Sequence, residues 1–403
     1  MDSPVAMISY SSADQEAAEL LHDELALRCF RVIHDGHTFT DGSRIQTDMA
    51  EGVESCDVFV AYLTPNSLYL DRHPDQPRPA LVGELLPALR RRRTSLGDGK
   101  GGKPIIILLL HGLGDRQAAS ETIRQLTGER VDSIWSTWLD QDTDHITQAE
   151  AADVAESALR ALLERDGQVQ PIELFVATRG TGPPSRRFTI DGARLFGGDR
   201  RPGDPSNWAR LAAAVQSVRR HMEAVAGGGP LRIELACHLS AALATGRTFH
   251  QATRWKPTFV TRHGEATPAT HSNGGDLKGD FERHAESGDL IVDVDLLGHN
   301  VSALTDETAG RLPPAGGRIS LRRAGSGDLS AEEISQLART TADRIRKGHA
   351  TLRPNRIHLA MSAPAAYAGL LGHHLTALEA DIVTYELAGG AYTVAMTVRG
   401  ATP

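Results

Sequence analysis

The chain has 403 residues, of which 23% are charged and 5% aromatic, with a formal net charge of −8. That size suits roughly two to three globular domains with ordinary cores. It excludes a membrane-spanning segment, since the longest purely aliphatic run is only Ile105 to Leu110.

Charge is unevenly divided. Residues 1–165 carry 16 Lys+Arg against 27 Asp+Glu, and the remainder carries 27 against 24. The mildly basic second half tolerates an anionic ligand better than the first. Without a basic tail or stripe, long nucleic acid is not an expected partner, nor is a membrane. Met1-Asp2-Ser3-Pro4 lacks the basic-then-apolar layout of a secretory signal. Cys29, Cys56 and Cys237 lie far apart, so reduced thiols in a cytoplasmic protein are expected. The histidines are scattered without ligand spacing, and neither a metal nor a cofactor is expected.

The first 165 residues alternate strand and helix. Val5–Ser9 reads as a strand, 14–27 as an amphipathic helix, 31–34 as a strand and 37–44 as a polar loop. A helix over 45–54, a buried-type strand at 58–63 and a helix over 81–93 follow, with Pro87 expected to kink the last. Strands at 105–110 and 133–139 precede a closing helix over 148–164, where Thr147 and Glu150 are spaced as a capping box. Such alternation implies a parallel sheet covered on both faces, with ligands at the C-terminal strand ends. Residues 166–170 read as a linker between a domain at 1–165 and another at 171–403.

The second half alternates too. Strands are expected at 172–178, 231–236, 258–262, 290–296, 357–360, 382–387 and 392–398, with helices at 208–224, 240–245 and 331–347. Segments 180–206 and 263–288 are rich in Gly, Pro, Asp and Thr and read as loops. Residues 232–244 and 356–368, 124 apart, agree at seven of thirteen positions, four of them alanine. Two equivalent α/β units about an approximate twofold axis would produce this echo, and two unrelated alanine-rich units would also.

Gly97 to Lys103 has the glycine and lysine spacing of a phosphate-binding loop. Pro104 stands where a Ser or Thr should be, and the segment precedes a strand instead of following one. It reads as a connection. No Gly-x-Ser-x-Gly elbow or dinucleotide glycine fingerprint occurs.

A more specific ordered set comprises Ile8-Ser9-Tyr10-Ser11, Val32 to Asp35, Phe39-Thr40-Asp41-Gly42-Ser43-Arg44-Ile45, Cys56 to Val60, Leu63-Thr64-Pro65-Asn66-Ser67 and Glu84-Leu85. Over residues 1–160 it resembles a TIR domain of flavodoxin-like fold. Some TIR domains are scaffolds and others hydrolyse NAD. The resemblance implies that Glu84 is catalytic and that Ser9, Tyr10, Ser11, Ser12, Asp35, Phe39, Gly42 and Arg44 line the substrate site. Tyr10 and Phe39 suit stacking on a base. A carboxylate in a helix's first turn would be favoured by the helix N-terminus, although a glutamate there serves equally as a stabilising charge. Enzymatic members often have Trp where this chain has Ala80, so an aromatic wall would come from elsewhere, such as a neighbouring subunit. Arg90–Arg93 could attract a pyrophosphate or simply complement the helix end.

The second half resembles the SAVED domain, two fused CARF-like (Rossmann-like) units that sense cyclic oligonucleotides in bacterial antiphage systems (CBASS). The resemblance rests on Ile233 to Ala242 with Gly246, Ile357-His358-Leu359, Ser362-Ala363-Pro364-Ala365 and Val383 to Glu386 followed by Tyr392. His238-Leu239-Ser240 and Ser362-Ala363-Pro364 each lead into a helix N-terminus, which favours phosphate. Arg179, Arg254 and Arg262 would add charge, and Asn300 could read a base. His238 and Asn300 equally suit polar loop caps.

Together these features imply an NAD hydrolase in which NAD is the substrate and a cyclic oligonucleotide such as cyclic tri-adenylate is the activator, acting through homo-oligomers or a filament. The alternative is a non-enzymatic adaptor under a cyclic-nucleotide sensor. A nuclease is disfavoured because no acidic metal cluster stands out.

Overall fold

The computed structural model describes residues 3–34, 45–68, 80–94, 103–128, 134–140, 142–167, 172–179, 188–197, 204–250, 253–271, 277–302, 315–325, 327–388 and 391–400. The chain divides into two compact units, Met1–Gln168 and Val169–Pro403. No described helix is long and apolar enough to cross a membrane.

In the first unit, β1 (Val5–Ser9), β2 (Arg31–Ile33), β3 (Val58–Leu63), β4 (Ile105–Leu110) and β5 (Trp135–Trp138) form one parallel sheet in the order β2-β1-β3-β4-β5. Every residue of β1 and β3 is buried, as continuous apolar runs require when both sheet faces are covered. The chain leaves β1 for β2 on one side and crosses to β3 on the other. The strand order therefore reverses between β1 and β3, which opens a crevice at their C-terminal ends.

The helices are α1 (Gln15–Leu27), α2 (Ile45–Ser55), a single turn α3 (Pro65–Leu68), α4 (Ala80–Thr94), α5 (Arg116–Thr127) and α6 (Gln148–Asp166). A 3-10 turn at Ser12–Asp14 precedes α1. The capping box at Thr147 and Glu150 is present. Helix α5 was not expected. It is largely polar and buries only Ala119 and Ile123, and Asp115 and Gly128 cap its ends. Helix α4 continues through Pro87 to Thr94. Of its arginines, Arg91 donates to the carbonyls of Val53 (3.0 Å) and Cys56 (2.7 Å), fastening α4 to the end of α2.

The second unit contains two sheets of matching topology. In one, β6 (Ile172–Ala177), β7 (Phe188–Asp191), β8 (Gly229–Ala236), β9 (Trp255–Thr261) and β10 (Gly264–Ala266) run in the order β10-β9-β8-β6-β7. In the other, β13 (Asp289–Asp295), β14 (Ala315–Arg323), β15 (Arg356–Ser362), β16 (Asp381–Ala388) and β17 (Ala391–Val398) run β14-β13-β15-β16-β17. The short β11 (Leu277–Lys278) and β12 (Phe281–Arg283) pair with β14. In both sheets the last strand alone of these five is antiparallel. Helices α7 (Pro205–Ala226) and α8 (Leu239–Thr248) of the first half correspond to α9 (Ala331–Leu352) and α10 (Ala365–His374) of the second. The loops expected over 180–206 and 263–288 thus contain short strands, and β14 is an addition to the expected set.

The halves meet through α8 and α10 at a close approach that only glycine permits. A Cβ on Gly246 would overlap the carbonyl of Gly369, and one on Gly372 would overlap the carbonyl of Leu243. The two contacts are twofold mates, because Gly246 and Gly372, like Leu243 and Gly369, are 126 residues apart. Backbone bonds agree: Thr178 N donates to Ala236 O and Leu296 N to Ser362 O. The structural repeat is therefore 126, two residues longer than the sequence echo. A two-residue slip preserves the face of a strand but turns a helix by about 200°, so the identities at 124 misalign the helices.

Candidate functional site

In the first unit, Ser9 closes β1 at the strand reversal and is 1% exposed. Its hydroxyl donates to Oε2 of Glu84 at 2.5 Å. Glu84 is half-buried and is the fifth residue of α4. It stands beyond the first turn, contrary to expectation, and it is Ser9 that orients its carboxylate.

Tyr10 follows, half-exposed, with its ring edge-on to His34 at 6.0 Å. His34 is buried and packs edge-on against His22 at 4.9 Å. Ser11 caps the 3-10 turn, its Oγ accepting from Ala13 N, and Ser12 begins that turn. Asp14, which the sequence did not single out, and Thr64, which belongs to the ordered set, together fix this loop. Buried Asp14 accepts from Thr64 Oγ1 at 2.7 Å, tying the turn after β1 to the end of β3. Asp35, Phe39, Gly42 and Arg44 lie outside the described residues. So does the Gly97 to Gly102 part of the connection before β4.

In the second unit, Arg179, Leu239, Ser240 and Arg262 all stand at the C-terminal strand ends of the first sheet. His238 stands there too, wholly buried. Its Nδ1 lies 2.7 Å from Thr178 Oγ1, its backbone N donates to the same oxygen, and Phe196 and Trp208 pack on the ring. These contacts give His238 a positioning role at the helix start. Arg254 does not join the group. It precedes β9, whose Trp255 pairs with Gly229 at the start of β8, so it occupies the opposite end of a parallel sheet.

Glu386 is the feature the sequence reading missed as a site residue. It projects from β16 of the second half, is 4% exposed, and accepts Ser240 N at 2.7 Å. Arg179 reaches it at 3.5 Å. Burial pushes the Glu386 carboxyl above its ordinary value despite these donors. The buried carboxyl in turn helps to raise Tyr392 and Cys237, whose shifts come first from their own burial.

The second half supplies a matching loop. Asp295 accepts the backbone N–H groups of Gly298, His299 and Asn300 at 2.8 to 3.0 Å. Asn300 adopts φ 54° and accepts from Arg322 at 3.0 Å. Ser362 Oγ lies 2.8 Å from His299 Nδ1, and Ala363 and Pro364 lead into α10. Arg322, at the end of β14, is a second cation that the missed strand concealed. Among the described residues no group of His, Cys, Asp and Glu could hold a metal ion. A cavity of about 720 Å³ lined by Ala213, Arg247 and Arg399 lies at the far end of α8, away from these residues.

A doubly wound α/β domain with a carboxylate at its strand reversal, joined to a duplicated α/β unit, defines a two-part protein. Residues 7–126 match the family model of the TIR domain. Residues 212–398 match that of SAVED, the SMODS-associated and fused to various effectors sensor domain. The chain carries a TIR domain followed by a SAVED domain. Similar solved structures include the Acinetobacter baumannii Cap4 SAVED/CARF-domain containing receptor with the cyclic trinucleotide 2'3'3'-cAAA. It is 13% identical with a TM-score of 0.49, over 84% of this chain and 88% of that one. The Moraxella osloensis Cap4 SAVED/CARF-domain containing receptor is 12% identical with a TM-score of 0.41, over 96% and 98%. No curated protein matches the chain.

Proposed function

We propose that this protein is an NAD hydrolase switched on by a cyclic oligonucleotide, cyclic tri-adenylate in particular, as an effector of bacterial antiphage signalling (CBASS). The observation that carries the reading is the Ser9 to Glu84 hydrogen bond at the strand reversal of a TIR domain. Cleaving the nicotinamide–ribose bond returns the bonding pair to a pyridinium nitrogen, which leaves neutral. No general acid is then required, unlike ordinary glycoside hydrolysis with its second carboxyl.

One carboxylate suffices to stabilise the oxocarbenium-like ribose as the bond breaks, and a water then adds at the same carbon with loss of a proton. Ser9 holds Glu84 in position for that charge, and Tyr10 offers a ring to a base. In the second unit, two helix starts, with Arg179, Arg262 and Arg322 at strand ends of the two sheets, suit a ring of phosphodiesters. Ligand-driven assembly would bring neighbouring TIR domains together, completing a pocket that lacks the aromatic residue replaced by Ala80. Depletion of NAD would then arrest the infected cell. Incubating the purified protein with NAD and a panel of cyclic oligonucleotides tests this. Release of nicotinamide supports the enzyme, and ligand binding without release supports an adaptor.

A further inference from the structure

We propose that Glu386 is an internal competitor for the anionic ligand of the SAVED crevice, so that this one side chain sets the ligand concentration at which the crevice fills. The inference rests on the sensor reading and adds its regulation. Helix α8 has no side-chain cap of its own at His238. The Ser240 backbone N–H at its start, where a helix favours an anion, is instead taken by a carboxylate 146 residues away. That carboxylate comes from the other half of the twofold pair. It also draws Arg179, whose side chain remains 41% exposed.

Among the described residues the twofold mate has no such arrangement. Ile233 and Leu359 are equivalent, and they pair with Phe259 and Thr384, so the position of Glu386 corresponds to Thr261. Thr261 donates to Gly264 O across its own hairpin. Pro364, the mate of His238, likewise provides no side-chain cap. One helix start is therefore filled by the protein's own anion, and the carboxylate filling it is buried at a cost. A phosphodiester oxygen would offer the same acceptor to Ser240 N and Arg179, but two anions cannot share that seat. Ligand entry there must expel Glu386 and release a tether between the halves.

The test measures binding of cyclic tri-adenylate by calorimetry to the full chain and its Glu386→Gln and Glu386→Asp variants, with thermal melts confirming folding. Gln keeps an acceptor for Ser240 N and removes the charge, so binding should tighten roughly tenfold or more. Asp keeps the charge and should bind within about threefold of the wild type. A folded Gln variant that binds no tighter, or an Asp variant that tightens as much as Gln, overturns the competitor role while leaving the sensor intact. A wild type and variants that all bind no cyclic oligonucleotide overturn the sensor reading and this inference with it.

Discussion

The hydroxyl of Ser9 donates to the carboxylate of Glu84 across 2.5 Å, joining the end of the first strand to a helix 75 residues later. A buried serine at this place fixes one rotamer of the glutamate, and a misplacement on the order of 1 Å costs about a hundredfold in rate. Glu84→Gln should abolish nicotinamide release, a loss of about 10³-fold or more, with binding of the cyclic activator retained. Ser9→Ala should lower kcat about 10- to 100-fold with a smaller change in KM. Steady-state kinetics of the activated protein checks both, and a fully active Glu84→Gln protein would remove the assigned catalyst.

The glycine contact between α8 and α10 makes a stability prediction. In Gly246→Ala the new methyl meets the backbone of Gly369, which cannot rotate away. Separating the two helices should cost about 3 kcal/mol, beyond anything gained in helix propensity. Denaturant melts of the full chain should show the transition of the second unit shifted down. An unchanged transition would mean that the halves do not pack this closely.

Glu386 gives a pH dependence. Burial raises its folded pKa above the usual 4.5, so the folded chain binds a proton there more tightly than the unfolded chain does. The associated stability is present below the ordinary carboxylate range and is lost as pH rises through the folded value. Ser240 N–H, Leu239 N–H and Arg179 oppose the rise, and the thiol of Cys237 and phenol of Tyr392 face the same carboxylate. Glu386→Gln should therefore melt higher than the wild type at neutral pH, with the gap closing as pH falls towards 4.5. A gap that widens on acidification would contradict this.

Activation by assembly predicts a change of mass. Multi-angle light scattering should report a monomer without ligand and larger species once cyclic tri-adenylate is added, with nicotinamide release following the larger species. Full activity at constant mass would refute control by assembly.

Much of this architecture is legible in the residues themselves. Val58–Leu63 and Ile105–Leu110 read as strands because short apolar runs of this length suit a sheet covered on both faces, and all but Ile105 are buried. β14 escaped notice because Gly316 and Gly317 weaken its strand pattern and because Arg318 looks like a surface residue. Arg318 in fact pairs with buried Asp293 at 2.6 Å. Ser9 and Glu84 each stand out as candidates, but their bond depends on a crossover that no local pattern specifies. Glu386 is hidden for a related reason. A glutamate near a strand end reads as solvent-facing until the opposite half brings a helix start to it. The 124-residue echo, four of whose seven matches are alanine, lies two residues off the structural repeat, which the glycines report.

The most direct measurement follows NAD by proton NMR in the presence of the purified protein, before and after cyclic tri-adenylate and related rings are added in turn. The account predicts an unchanged NAD spectrum at first, then free nicotinamide with a matching loss of NAD once the right ring is present. Intact NAD in a sample where calorimetry shows a ring bound to folded protein would contradict it.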